Sequence, residues 1–491
     1  MDLWKLFLTP RQEQKLNLLE EIISKKEVSL DELAYKNSLT NRKLKIIIEQ
    51  INSEYDSCTK PLIKFENRMF KLTADESEEV YSTFYLHLKQ QYINQSSVFK
   101  LLLFFLEHRK IGMIRLSRHF NYSQSYCYKL INKANEIIKV IGFNCEIRKK
   151  TNYIVLEGNE NQIRVITYLL ETTSITFNSS KNYNYLTNAN NFLSSIHQDK
   201  LKRISKVFDN SLKLGQFVKQ GSEEELEVMA SIYKEVHLGF FNMFSYVEKD
   251  GNNFYFLNEK MFFYLFTIYY LPEYLTPLIR NNIGENLANV KGNRIIDKAT
   301  KVLKWLEEKY EIPKEFHNTF LFQLVYRFLI TDKLSLNILF YATNSITYTN
   351  ENIKEISSDF QNLYKDELSK ESLEVFSFQV TELLYSYLGS LMANPLKVSI
   401  NSTYRANYVI VIRNSLSSIY KEDTLKICEK IEESDVVISD SVIDIDDSQD
   451  FFFLDDIHDL DAWRRFGEFI HEKILQRRIH LKSDLIKIED R

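Results

Sequence analysis

Along the first 160 residues, apolar positions recur with a helical period of about 3.6 and then alternate with a period of 2, and the sequence of the two repeats itself once. In the first round, Arg11–Ser24 places Leu16, Leu19, Ile22 and Ile23 on one face. Ser29-Leu30-Asp31-Glu32 has the form of a capping box and opens a helix to about Asn37. Thr40 caps a third helix, Asn41–Tyr55, with Leu44, Ile47, Ile48 and Ile51 inward and Asn41, Arg42, Lys43 and Lys45 outward. Leu62–Phe65 and Met69–Leu72, joined through Glu66-Asn67-Arg68, make a two-stranded wing, and a helical linker follows to residue 95.

The second round is stronger. Ser96 or Ser97 caps an almost wholly apolar helix, Val98–Glu107. Gly112 ends the turn after it. Met113–Phe120 is a short amphipathic helix with Ile114, Leu116 and Phe120 inward and Arg115 and Arg118 outward. After the turn at Asn121-Tyr122, Ser123 caps Gln124–Ile141, where Cys127, Leu130, Ile131, Ala134, Ile137, Ile138 and Ile141 form one stripe. Residues 144–148 and 153–157 alternate as two strands around a basic turn, Lys149-Lys150-Thr151-Asn152. Each round therefore predicts a winged helix-turn-helix.

Charge separates the two rounds. Ser96–Lys150 holds 11 Lys and Arg against 3 Asp and Glu, inside a chain of net charge −4. Residues 1–150 carry 25 basic and 18 acidic side chains, and the remainder 38 and 49. A basic module in a mildly acidic chain is the footprint of a phosphate-binding surface. A recognition helix enters the major groove with its first residues at base edges. This makes Gln124, Ser125, Tyr128 and Lys129 the candidates for base contact, and Lys133, Arg115, Arg118, Lys149 and Lys150 the candidates for phosphate contact. The competing reading is a polar face that meets only water. The first module is nearly neutral; its Asn41, Arg42, Lys43 and Lys45 are either a second DNA contact or part of a scaffold that positions the other module.

Immediately after the second wing comes Leu156-Glu157-Gly158-Asn159-Glu160-Asn161-Gln162-Ile163-Arg164. It resembles the I-x-G-x-E-x-x-I-R junction of the Mga family of Gram-positive virulence regulators, which includes the RofA-like regulators. The resemblance is specific over about Met1–Leu170. It implies two all-helical PRD-like regulatory bundles after the winged helices, then a small α/β domain similar to the EIIB component of the sugar phosphotransferase system, often used for dimerisation. In the family, histidines of the bundles are phosphoacceptors. Here the corresponding positions fall near Gly221 and Phe322, and the nearest histidines are His197, His237 and His317. A cysteine-type EIIB needs a nucleophilic Cys at the end of its first strand; here that place is Asn401-Ser402-Thr403, and Cys428 ends a later strand.

The rest of the chain fits this frame. Gly and Pro number only 11 and 6 in 491 residues, which argues against Gly-rich phosphate loops and for helix. From about Arg164 to Met392 the pattern is helical, with stripes at Ile295–Leu306 and Phe320–Leu329, a long helix at Lys370–Leu391, and Asn-rich breaks near 178–191 and 281–293. After Asn394-Pro395, strands at Leu396–Ile400, Thr424–Cys428, Asp435–Ser439 and Phe451–Leu454 alternate with helices at Tyr404–Ser418 and Ala462–Gln476, the pattern of a small α/β sheet. The expected class is mainly α, with winged helices at 1–75 and 96–163, a helical linker at 76–95, bundles at 164–285 and 286–392, and the α/β domain at 393–491.

The four cysteines form no CxxC pair, no signal peptide is evident, and the most apolar run, Met261–Leu271, is too short to span a bilayer. A cytoplasmic chain without metal or cofactor is expected, with no membrane partner. The carboxylates of Asp440–Asp461 (Asp444, Asp446, Asp447, Asp450, Asp455, Asp456, Asp459 and Asp461) match no EF-hand spacing and read as a solvated loop, with metal binding or a contact to transcription machinery as the alternatives. The leading expectation is a non-enzymatic transcription regulator that binds promoter DNA as a homodimer and activates virulence or surface-protein genes. Its further expected partners are RNA polymerase and a phosphotransferase-system phosphocarrier. The alternatives are a phosphotransfer component or sensor of sugar uptake, and a protein-interaction scaffold whose winged helices bind no DNA.

Overall fold

Several helix starts in this chain are set by side chains that satisfy the first orphan amides. Thr9 accepts from the Gln12 amide while the Gln12 side chain accepts from the Thr9 amide, opening α1 (Pro10–Lys25). The computed structural model describes residues 3–55, 62–73, 78–173, 195–236, 253–309, 314–334, 395–402 and 406–477 (423, 442, 444 and 455 excepted), with pieces of helix between 357 and 383. They divide into two units: Met1–Thr276 with Asp332–Ser345, and Pro277–Thr331 with Ile346–Arg491.

The first unit begins with α1, β1 (Glu27–Ser29), α2 (Leu30–Lys36), α3 (Asn41–Glu54), β2 (Ile63–Glu66) and β3 (Met69–Leu72). Ser29 caps α2 by accepting from the Glu32 amide, but the Glu32 carboxylate takes Lys25 at 2.7 Å instead of returning to Ser29. The expected capping box is thus a single cap. The wing is an antiparallel sheet of order β1-β3-β2, not a hairpin alone. β1 is too short for its alternation to be read in sequence. The linker is a helix, α4 (Glu78–Gln95), and it packs on the first module: the Tyr92 hydroxyl and the Lys15 ammonium both reach the Glu54 carboxylate.

The second module consists of α5 (Ser97–His108), β4 (Lys110–Ile111), α6 (Met113–Phe120), α7 (Gln124–Ile141), β5 (Cys145–Lys149) and β6 (Ile154–Gly158). Its sheet order is β4-β6-β5, again with a short strand added to the expected pair. Ser96 is the N-cap of α5, accepting from the Phe99 amide. The α7 stripe is buried along its whole length. One expectation fails: Ile114 is exposed, and only Leu116 of α6 is fully buried. Residues two apart on a helix lie about 200° apart, so Leu116 inward turns Ile114 outward. α8 (Glu160–Thr173), α9 (Ser195–Lys213), α10 (Glu223–Glu235) and α11 (Asn253–Tyr270) complete the described part of this unit. The run Met261–Leu271 falls mostly in α11, where residues 262–268 are buried and Tyr269 is exposed. Among the described residues no helix is long and apolar enough to cross a membrane.

The second unit holds α12 (Pro277–Ala288), α13 (Arg294–Lys309), most of α14 (His317–Lys333), and the C-terminal sheet. The Asn-rich stretch from Asn281 to Ala288, read as a break, is helical because Ile283, Gly284 and Leu287 make a buried face. Asn289 closes α12 by donating to the Glu285 carbonyl at 3.0 Å, and Asn293 opens α13 by accepting from the Ile295 amide at 3.1 Å. Of Lys370–Leu391, residues 373–378, 380, 381 and 383 are helical and the others lie outside the described residues, as does the stretch 178–191. β7 (Leu396–Asn401), α15 (Ala406–Ile419), β8 (Leu425–Cys428), β9 (Val436–Ser439), β10 (Asp450–Phe453) and α16 (Leu460–Arg477) form a parallel sheet of order β10-β9-β7-β8 with its helices packed on Val398, Val436 and Ile438. The chain is mainly α with a small α/β sheet at its end, as expected, and that sheet is parallel.

Two glycines in helices should respond oppositely to alanine. A Cβ at Gly284 would lie 1.8 Å from the Asn318 carbonyl oxygen, where α12 meets the start of α14. Gly284→Ala should destabilise the second unit by roughly 1–3 kcal/mol in urea unfolding. Gly467→Ala, on an exposed face of α16 with no atom within 4 Å of the new Cβ, should stabilise by up to about 1 kcal/mol.

Candidate nucleic-acid interface

The turn between α6 and α7 is built from local polar bonds. Asn121 adopts the left-handed conformation, and the Ser117 hydroxyl donates to the Tyr122 carbonyl at 2.5 Å. Ser123 then caps α7 by accepting from the Tyr126 amide at 3.2 Å. The helix is fastened to the wing by Asn135, whose side chain accepts from the Ile147 amide at 2.8 Å and donates to the Ile147 carbonyl at 2.9 Å. Recognition helix and wing are thereby held in one orientation.

On this frame Gln124, Ser125, Lys129 and Lys133 are exposed, and Tyr128 is half-buried. Arg115, Arg118, Lys149 and Lys150 are exposed. A cleft of about 620 Å³ between the starts of α6 and α7 and the wing tip gathers Arg115, Gln124, Tyr128, Lys149 and Lys150. Arg118, Ser125, Lys129 and Lys133 do not line it. Two of the candidate lysines already face carboxylates: Lys133 is 3.2 Å from Glu136, and Lys150 is 3.1 Å from Glu157. Lys149 sits over the Tyr128 ring, 5.3 Å from its centroid.

In the first module Asn41, Arg42, Lys43 and Lys45 are also exposed. Their neighbourhood is more neutralised. Asn41 donates to Asp31 at 3.0 Å, and Arg68 grips the same carboxylate at 2.7 and 2.9 Å. These bonds, Asn41 first and then Arg68, hold the Asp31 carboxyl below the ordinary aspartate range. Lys71 pairs with Glu27 at 2.6 Å, and Lys45 lies 4.1 Å from the Phe65 ring centroid.

The junction after the wing holds residues whose role the sequence did not reveal. Gly158 ends β6 with φ +156°, and a Cβ there would stand 2.4 Å from the Asn144 carbonyl oxygen. Asn159 accepts from the Asn161 amide at 3.0 Å and so starts α8. Arg164 is fully buried; it reaches Glu160 at 3.0 Å, both oxygens of Glu259 at 2.6 and 3.0 Å, and the Gln216 carbonyl at 2.9 Å, and lies over the Phe208 ring. Burial works against its charge, but Glu259 and Glu160 outweigh that and hold its pKa above the ordinary value. Arg109 follows α5 with φ +62° and shares Glu160 at 3.0 Å, with Ser211 at 3.3 Å. Burial lowers its pKa, and it turns inward, so one cation of the basic module never reaches the surface. The neighbouring Cys145 thiol is pushed up to about 12 by burial.

Of the candidate phosphoacceptors, His197 is half-buried on α9 and His237 lies outside the described residues. His317 places Nδ1 2.6 Å from a Glu307 carboxylate oxygen. Phe322 is buried in α14, and the buried Gly221 amide donates to Asn258. At the C-terminal ends of the parallel strands, the Ser402 hydroxyl donates to Asp440 at 2.6 Å, and Cys428 closes β8. Among the described residues no group of three or more His, Cys, Asp or Glu is arranged to hold a metal ion. Asp444 and Asp455 of the acidic loop lie outside those residues.

Glu259→Ala would leave Arg164 buried with a single carboxylate. The expected loss is about 3–5 kcal/mol, read from the urea midpoint. Exposed Lys133→Ala should stay within about 0.5 kcal/mol.

Residues 82–171 match the family model described as the Mga helix-turn-helix domain. No curated protein matches the chain. The matched span takes in most of the linker helix, the whole second module and the Glu160–Arg164 junction, which is the stretch where the recognition helix, the wing and their buried anchor are found together. Over these residues the chain carries a helix-turn-helix domain of the Mga type.

Proposed function

We propose that this protein is a cytoplasmic transcription regulator that binds promoter DNA through its second winged helix. The Mga helix-turn-helix domain suggests DNA-binding transcription regulation. The observation that carries the finer reading is the exposed polar start of α7 beside a basic cleft. Gln124, Ser125, Tyr128 and Lys129 read base edges; Lys133, Arg115, Arg118, Lys149 and Lys150 meet phosphates. Asn41, Arg42, Lys43 and Lys45 make a weaker, auxiliary contact, since their neighbours Asp31 and Glu27 neutralise part of that surface. A homodimer paired through the C-terminal α/β domain sets two pairs of winged helices on one DNA. In keeping with the family, the proposed outcome is activation of virulence or surface-protein genes through a contact with RNA polymerase. No catalytic step or cofactor is proposed.

A second reading, a phosphotransferase-linked sensor, is favoured by one contact. A carboxylate on Nδ1 of His317 leaves Nε2 as the acceptor nitrogen. Labelled phosphoenolpyruvate with the general phosphotransferase proteins should label the chain and not its His317→Ala variant; equal labelling of both would remove His317 from this role.

The main reading is tested by binding to a promoter duplex across a salt series. Log affinity should fall with log salt at about −0.9 per phosphate contact, and Lys129→Ala/Lys133→Ala should bind more weakly by about 5- to 150-fold, on the order of 1–3 kcal/mol. Absence of binding by the wild-type chain at low salt would contradict it and favour a protein-binding scaffold.

A further inference from the structure

The cleft that gathers Gln124 and Tyr128 is lined by four cations, Lys110, Arg115, Lys149 and Lys150, and by no carboxylate. The other groove of this module, about 870 Å³ at the wing root, is different: Glu136, Glu146 and Glu157 line it together with Lys139 and Arg148. One recess therefore attracts an anionic polymer, and the other is close to neutral.

The cations also differ in what holds them. Lys150 is tied to Glu157 at 3.1 Å and Arg148 to Glu146 at 2.8 Å. Lys110 stands on an aromatic ring, with its ammonium 3.6 Å from the Tyr153 centroid, and Lys149 is over Tyr128. A ring face orients an ammonium without cancelling its charge. Among the described residues Lys110, Arg115 and Lys149 have no ion-pair partner. Their charge is available to phosphate at no cost of breaking a pair, while Lys150 must first leave Glu157.

We propose that this cleft seats a run of DNA backbone phosphates, that Lys110 on β4 is one of the residues neutralising it together with Arg115 and Lys149, and that Glu157 restrains the contribution of Lys150. The proposal rests on DNA being the partner of the second winged helix. It adds a contact that lies on neither the recognition helix nor the wing turn. Backbone contacts carry no base information, so the cleft sets affinity and register for every sequence alike.

The test uses the full chain and a short random-sequence DNA duplex, with binding followed across a salt series. Lys110→Ala should make the slope of log affinity against log salt shallower by about 1, and weaken binding roughly fivefold at about 0.15 M salt. Lys110→Arg should keep the wild-type slope. Glu157→Gln, which frees Lys150, should steepen the slope by about 1. Wild-type slopes in both Lys110→Ala and Glu157→Gln, with the wild-type chain binding normally, would overturn the cleft assignment and leave the proposed function standing. If the wild-type chain itself fails to bind the duplex at low salt, both fall.

Discussion

The Arg164 guanidinium is wholly withdrawn from water, and the placement of the second winged helix on the bundle behind it depends on keeping that charge satisfied. An unpaired buried cation costs several kcal/mol, whereas an arginine gripped on both sides by carboxylates is tolerated. Glu259 comes from α11, Glu160 from the start of α8, and Arg109 from the end of α5. The cluster therefore joins three helices far apart in sequence. Its geometry is demanding: a guanidinium bidentate on one carboxylate and single on another accepts little rotation. The hydrophobic contacts around it would permit small slides; the charges do not.

This anchor bears on DNA recognition through the backbone. The Arg109 carbonyl accepts from the Leu156 amide at 2.8 Å, so the residue that reaches Glu160 with its side chain also holds the wing with its main chain. Gly158 lets β6 pass within contact of Asn144, and Asn135 ties β5 to α7. From the bundle to the recognition helix there is a continuous path of bonds, each with a defined direction. Charge is placed unevenly: glutamates hold Arg148 and Lys150, while Lys110 and Lys149 of the recess beside α7 lie over rings.

Much of this was legible in the sequence because long amphipathic repeats leave little choice. The seven apolar residues of α7 fix its inward face, and the polar start of the helix follows from it. The apolar strand runs after Asn394-Pro395 gave the small α/β domain, while the parallel pairing and the strand order came from the structure. Short elements were not legible. β1 and β4 have three and two residues, too few to show a period, and with β4 went the position of Lys110. Ile114 was misread because apolar character was given more weight than its angular distance from Leu116. The buried cluster was invisible for a different reason. Arg109 pairs across 51 residues and Arg164 across 95, and nothing local tells a buried arginine from one that meets DNA. In the sequence the Gly158-Asn159-Glu160 junction carried only the family resemblance.

Hydrogen exchange of the full chain with and without a promoter duplex tests the central claim most directly. The first amides of α7 lack helical partners, and the wing turn is closed only by the Lys150 amide on the Tyr153 carbonyl at 2.8 Å, so both exchange readily unless a ligand covers them. The account predicts slowed exchange in peptides covering 122–128 and 149–153, with smaller changes at 41–46. Protection confined to the first module, or absent from both recognition helices while DNA is bound, would contradict it.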